Sequence, residues 1–216
     1  MRLAPYRGGV RAGVGFALAA VVVGLSFGVT AEPLMGSVAP IVMSAVVFAG
    51  AAQFGATAVL VSGGSAITAI ATGTMLNLRF LPMGVAAAPA LRGRFLRRGV
   101  EGQAIVDASW ALAARGAAGF DRELLLGATL PQYPAWVLGT GLGVVFGGAL
   151  GDPEALGLDA IFPAFFLGLL AAERERPRAP AAALIGGAIA LALTPFLPPG
   201  LPVLLASTAA LVGLRR

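Results

Sequence analysis

The chain contains no cysteine, no histidine and no lysine, so all fifteen of its basic residues are arginine. Without cysteine there are no disulfides, no thiol nucleophile and no thiolate metal site. Without histidine the usual metal ligand and the commonest proton shuttle are missing. Neither a GxSxG elbow nor a phosphate loop with a following lysine occurs, and Ser109 has no histidine base. The expectation is therefore a protein that is not an enzyme and holds no metal or other cofactor. Charge of either sign is scarce: 12% of residues are charged, 58% are hydrophobic, and the mean hydropathy is +0.89. A soluble domain carries about 25% charged residues. Half that share cannot cover a water-facing surface, so much of the exterior is expected to face hydrocarbon.

Placement of the charges sharpens this. Twenty uncharged residues separate Arg11 from Glu32, and forty-six run from Pro33 to Leu78 before a lone Arg79. Pro131–Gly151 and Ala179–Leu214 are also free of charge. A bilayer core needs roughly 20 apolar residues per helix, and these runs supply that length. They continue to residue 214, unlike a single secretory signal ahead of a soluble domain. They do not alternate as barrel strands do, which leaves helices to satisfy the backbone in lipid. The net charge of +5 comes from arginines at the ends of apolar runs. They read as topology determinants and not as a nucleic-acid surface.

The predicted class is an all-α polytopic membrane protein, one transport domain over residues 1–216, with six to eight transmembrane segments. The first span covers about 12–31 and is followed by a turn at Glu32–Ser37 with Pro33 as its breaker. Apolar blocks follow at 38–61 and at 66–91, the second interrupted by Asn77–Pro82. Arg92, Arg94, Arg97 and Arg98 form a basic cluster. Residues 99–120 carry Glu101, Asp107 and Arg115, and fit either a polar interior span or an amphipathic helix near the interface. Further spans are predicted at 131–151 and 158–172, and two short runs at 179–194 and 201–214 flank a proline-rich hinge. An inside N-terminus with three simple spans would put the 92–98 cluster outside, against the positive-inside rule. Broken or re-entrant helices between 38 and 91 repair the count.

Glycine is abundant, at 31 residues, and often spaced by four: Gly24 and Gly28, then Gly139, Gly143, Gly147 and Gly151. This spacing lines one helix face and permits close backbone approach, to a neighbour either within the chain or in another subunit. The two glycine segments also hint at an internal repeat, in which the second copy reaches Ile161–Ala164.

Few polar residues interrupt the apolar runs. Gln53 lies deep in one, just after Gly50, which loosens the helix; its amide faces either a cavity or a structural interhelical partner. Asn77, Arg79 and Pro82 together mark unwound backbone of the kind that lines a cavity. Arg79 could clamp a substrate carboxylate with two parallel donors, mark a membrane boundary, or pair with Asp107. Asp107 is the best intramembrane carboxylate, suited to proton coupling or to an amine counter-charge, or else one face of an amphipathic helix. Asp159 and Glu32 fit capping or loop positions, and Gln132 and Tyr133 an entrance.

Gly24-Leu25-Ser26-Phe27-Gly28, Phe48-Ala49-Gly50-Ala51-Ala52-Gln53-Phe54, Asn77-Leu78-Arg79-Phe80 and Leu158-Asp159-Ala160-Ile161-Phe162-Pro163-Ala164-Phe165-Phe166 resemble, in the same order, segments of the AzlC family. The resemblance implies the large subunit of a bacterial branched-chain amino acid exporter in the inner (cytoplasmic) membrane, partnered by a small multispanning AzlD-like subunit. It makes Gln53, Asn77, Arg79 and Asp107 candidates for the substrate site, and Gly50, Pro82 and Pro163 candidates for helix breaks or gates. Two departures are visible: Ala108 stands where a second acid is common, and Phe80 follows the Asn-Leu-Arg element. The alternatives are a channel or importer for another small polar solute, and a membrane assembly subunit with no transport path.

Overall fold

The computed structural model describes residues 4–149, isolated positions between 155 and 175, 177–197 and 201–214. Among these the regular structure is helical, apart from an isolated bridge between Ala114 and Phe120. In chain order the α-helices are α1 (Arg7–Met35), α2 (Ala39–Val46), α3 (Gly50–Val61), α4 (Ala66–Asn77), α5 (Phe80–Ala87), α6 (Phe95–Gly102), α7 (Asp107–Ala113), α8 (Arg122–Phe146), α9 (Ala179–Leu193) and α10 (Leu201–Ala206). The all-α membrane class is thus met. Among the described residues one helical stretch, Ala4–Met35, is both long and apolar enough to cross a bilayer by itself. The apolar blocks 38–61 and 66–91 are divided into shorter helices, while α8 runs unbroken for 25 residues.

The chain sorts into two compact units, Met1–Gly50 with Phe80–Ile161, and Ala51–Arg79 with Phe162–Arg216. In the first, α1 and α8 lie side by side and parallel. Their spacing follows from glycine: a Cβ on Gly9 would sit 2.7 Å from the Leu124 carbonyl oxygen, and one on Gly24 2.5 Å from that of Trp136. Gly28 and Gly143 face each other, and each would strike the other helix's backbone, at Thr140 and Leu25 respectively. The four-residue ladder therefore finds its neighbour within the chain. Gly139 meets Val21 as Gly24 meets Trp136, so the two glycine segments make reciprocal contacts. Gly147 only touches Val29, and Gly151 lies outside the described residues.

Two boundaries differ from expectation. Pro33 does not break α1, which continues to Met35 and ends at Gly36 (φ +75°), whose N–H reaches the Glu32 carbonyl at 2.9 Å. Pro33 forfeits the single helical bond that its own N–H would make, which α1 tolerates, and the positive φ that only glycine adopts freely makes the stop. At its other end α8 begins nine residues before the expected 131, because Asp121 caps it by accepting the Leu124 N–H at 2.9 Å. Residues 99–120 hold the end of α6 and the whole of α7, two helices too short to span.

In the second unit, α3 and α4 form an antiparallel hairpin across Ser62–Ser65. Gly63 takes φ +80° there, and Ser65 caps α4 through the Thr68 N–H at 3.2 Å. Gly73 sits where a Cβ would be 3.2 Å from the Ala52 carbonyl, and Gly55 leaves room for the Leu76 side chain. In the same unit α9 packs on α10 through Gly186.

Candidate functional site

The apolar block 66–91 is interrupted where the sequence placed the break. Helix α4 ends at Asn77, Leu78 and Arg79 form a turn, and α5 starts at Phe80. Pro82 occupies the first turn of α5, where a missing N–H costs nothing because that donor would have no helical partner. It follows the break and helps to start the next helix. Asn77 Oδ1 is buried and has no hydrogen-bond partner among the described residues. The Arg79 side chain is half-buried in the turn. Gln53 is fully buried on α3, and the antiparallel hairpin puts it at the same end as Asn77. These three candidates share one unit.

Block 38–61 is also broken, between α2 and α3. Gly50 opens α3, and the interruption is Val47–Ala49, where Phe48 takes φ +44°. A bulky residue in that region is strained and persists only where its surroundings hold it. Phe48 is buried, its ring edge-on to Tyr133 at 5.1 Å and to Trp136 at 6.3 Å. The last carbonyls of α2, which a helix end leaves without partners, accept from side chains: Tyr133 Oη donates to Ala45 at 2.7 Å and Gln103 Nε2 to Val46 at 3.3 Å. Ser44 and Thr140 hydroxyls meet at 2.7 Å, tying α2 to α8. Tyr133, expected at an entrance, caps the broken helix and also lines the cavity beside Glu101.

Asp107 begins α7 in the first unit and is half-buried. A carboxylate in a helix's first turn is favoured by the dipole. Two residues on, Ser109 is fully buried and its hydroxyl accepts from Thr129 Oγ1 at 2.8 Å and from Gln132 Nε2 at 3.1 Å. Gln132 thereby joins α7 to α8 inside the unit. Pro163 lies outside the described residues, as does Asp159.

The densest charged grouping was not anticipated. Glu101 on α6 and Arg122 at the start of α8 are 6% and 7% exposed. Glu101 Oε2 accepts from Arg122 Nε at 2.9 Å and from the Arg92 backbone N–H at 2.9 Å. Its Oε1 accepts from Arg122 Nη2 and, at 3.1 Å, from Arg97 Nε. Hydrogen bonding to Arg122, aided by Arg92 and Arg97 and opposed by burial, pulls the Glu101 carboxyl from its ordinary 4.5 down to about 2. The same pairing raises the Arg122 guanidinium above its ordinary value. This cluster edges a 610 Å³ cavity whose other walls include Val100, Ala104, Leu126 and Leu130. Both residues are visible in the sequence, but nothing in it pairs a glutamate with an arginine twenty-one positions away.

The AzlC protein family model matches residues 15–150. The chain belongs to the AzlC family. A protein from Archaeoglobus fulgidus named as an uncharacterized membrane protein is 34% identical over 178 residues, covering 81% of this chain and 78% of the relative. The inner membrane protein YgaZ of Escherichia coli strain K12 is 27% identical over 180 residues, covering 76% and 72%. No solved structure matches. Family and relatives agree with composition that this is a membrane protein. The matched region contains both helix breaks, most of the α1–α8 pair and the Glu101–Arg122 cluster.

Proposed function

We propose that this AzlC-family chain is the large subunit of a secondary exporter of branched-chain or similar small apolar amino acids. It acts in the cytoplasmic membrane with a small AzlD-like partner and catalyses no chemical conversion. The observation that carries this reading is the buried Asn77 Oδ1, which has no hydrogen-bond partner among the described residues, at an interrupted helix end beside Arg79. A buried acceptor left unsatisfied costs about 1–3 kcal/mol. A ligand that brings an N–H donor recovers that cost, and an α-ammonium is such a donor. The Arg79 guanidinium can present two parallel donors to the α-carboxylate of the same molecule. Interrupted transmembrane helices supply such sites because polar backbone is tolerated only where it lines a cavity. The apolar side chain of the cargo then meets the apolar residues that dominate both segments. Discrimination by one methylene is about 1–3 kcal/mol, so valine, leucine and isoleucine are all expected as substrates.

Efflux of preloaded labelled leucine, valine and isoleucine from vesicles, with and without the small partner, tests the assignment. The expected result is saturable efflux of all three that requires the partner. Unchanged efflux from a folded, assembled complex rejects it. Varying pH and membrane potential separately addresses coupling, and Asp107→Asn removes proton dependence if that carboxylate carries the proton.

A further inference from the structure

Helix α6 is amphipathic in an inverted sense. At about 100° per residue, Phe95, Leu96 and Val100 fall on one side, and Arg97, Arg98 and Glu101 on the other. On a water-soluble body the apolar side would pack inward. Here Glu101 is the residue turned in, while Phe95, Leu96 and Val100 are 88%, 80% and 75% exposed. The helix cannot roll over to hide them. Glu101 is held by Arg122 and the Arg92 N–H, Arg98 donates to the Ala88 carbonyl at 2.9 Å, and Gln103 just beyond the helix donates to Val46.

The exposed charges around this apolar face are predominantly positive. Arg92, Arg94, Arg97 and Arg98 are all exposed. Glu101 is enclosed, and Glu123, 3.8 Å from Arg92, is the acid beside them. An outward apolar face rimmed with arginine matches a helix lying at the water–hydrocarbon boundary over anionic headgroups. A second copy of this chain docking through the same face would bring two sets of four arginines together, a like-charge contact that disfavours it.

We propose that α6 is an interfacial helix that seats Phe95, Leu96 and Val100 in the acyl region and binds anionic phospholipid headgroups through Arg94, Arg97 and Arg98. The site is independent of the solute carried. It places the 92–98 cluster on the anionic cytoplasmic leaflet, the side that the positive-inside rule requires.

The chain has no cysteine, so single labels are simple to install. The full chain in nanodiscs, carrying Leu96→Cys or Val100→Cys with an environment-sensitive fluorophore, would be quenched by lipids brominated on the acyl chain and spared by an aqueous quencher. The reverse pattern overturns the proposal, as does lipid quenching abolished by the small partner, which would make this face a subunit interface. In the second arm, lipid retained by the detergent-purified chain is weighed by native mass spectrometry after exposure to mixed phosphatidylglycerol and phosphatidylcholine. Wild type is expected to prefer phosphatidylglycerol, with roughly fivefold of that preference lost per arginine in Arg94→Gln and Arg98→Gln. No preference in wild type, or an unchanged one in the double variant, overturns the headgroup part.

Discussion

Two polar groupings sit in apolar surroundings with opposite degrees of satisfaction. In the first unit the Glu101 carboxylate accepts four hydrogen bonds, from Arg122 twice, Arg97 and the Arg92 backbone. In the second, the Asn77 carbonyl oxygen is buried and accepts none among the described residues. A saturated cluster fixes geometry and leaves no lone pair for a ligand. An unsatisfied buried acceptor calls for an explanation, and the proposed substrate's N–H donor supplies one. Both groups are shielded, and what separates them is their hydrogen-bond account.

The contrast breaks most visibly at the scaffold. Arg122→Met takes two of the four donors from a buried carboxylate, and removing one partner of a buried pair costs up to roughly 3–5 kcal/mol. A large loss of thermal stability in detergent is expected, partly recovered by adding Glu101→Leu. Next comes the α1–α8 contact. Gly143→Val would drive a side chain into α1 backbone at a cost of at least about 1–3 kcal/mol. Gly141→Ala on the same helix meets open space, and thermal unfolding should show it neutral or stabilised by about 0.5–1 kcal/mol. Similar losses from both glycine variants would contradict the packing.

The pH response is smaller and has a defined sign. Glu101 lies on the short polar α6, and its carboxyl is lowered to about 2 in the folded chain. Its stabilisation is therefore complete above about 4.5 and is lost as pH falls toward about 2. Melting temperature in that window should fall in wild type and flatten in Glu101→Gln. At the proposed site, Asn77→Ala should leave melting unchanged or raise it, because it removes an acceptor that the folded chain does not satisfy, while leucine efflux falls at least about tenfold.

The sequence revealed most where local chemistry decides the backbone. Asn77, Arg79 and Pro82 in an apolar run announced the second break, and four-residue glycine spacing announced a close helix pair. It revealed less where distant residues decide. The first break falls on Val47-Phe48-Ala49, which carries no breaker of its own. It is held by Tyr133, Trp136 and Gln103, so the neighbouring Gly50 attracted the assignment. Pro33 misled in the opposite way, because it removes one helical bond without turning the chain, and Gly36 supplies the turn. Glu101 was visible as a charge, and only the fold brings it to Arg122.

Equilibrium binding of labelled leucine to the purified complex, comparing wild type, Asn77→Ala and the Arg122→Met/Glu101→Leu double variant, probes the division between scaffold and site most directly. Binding should be lost in Asn77→Ala and kept by whatever fraction of the double variant remains folded. Full leucine affinity in a folded Asn77→Ala complex would contradict the account.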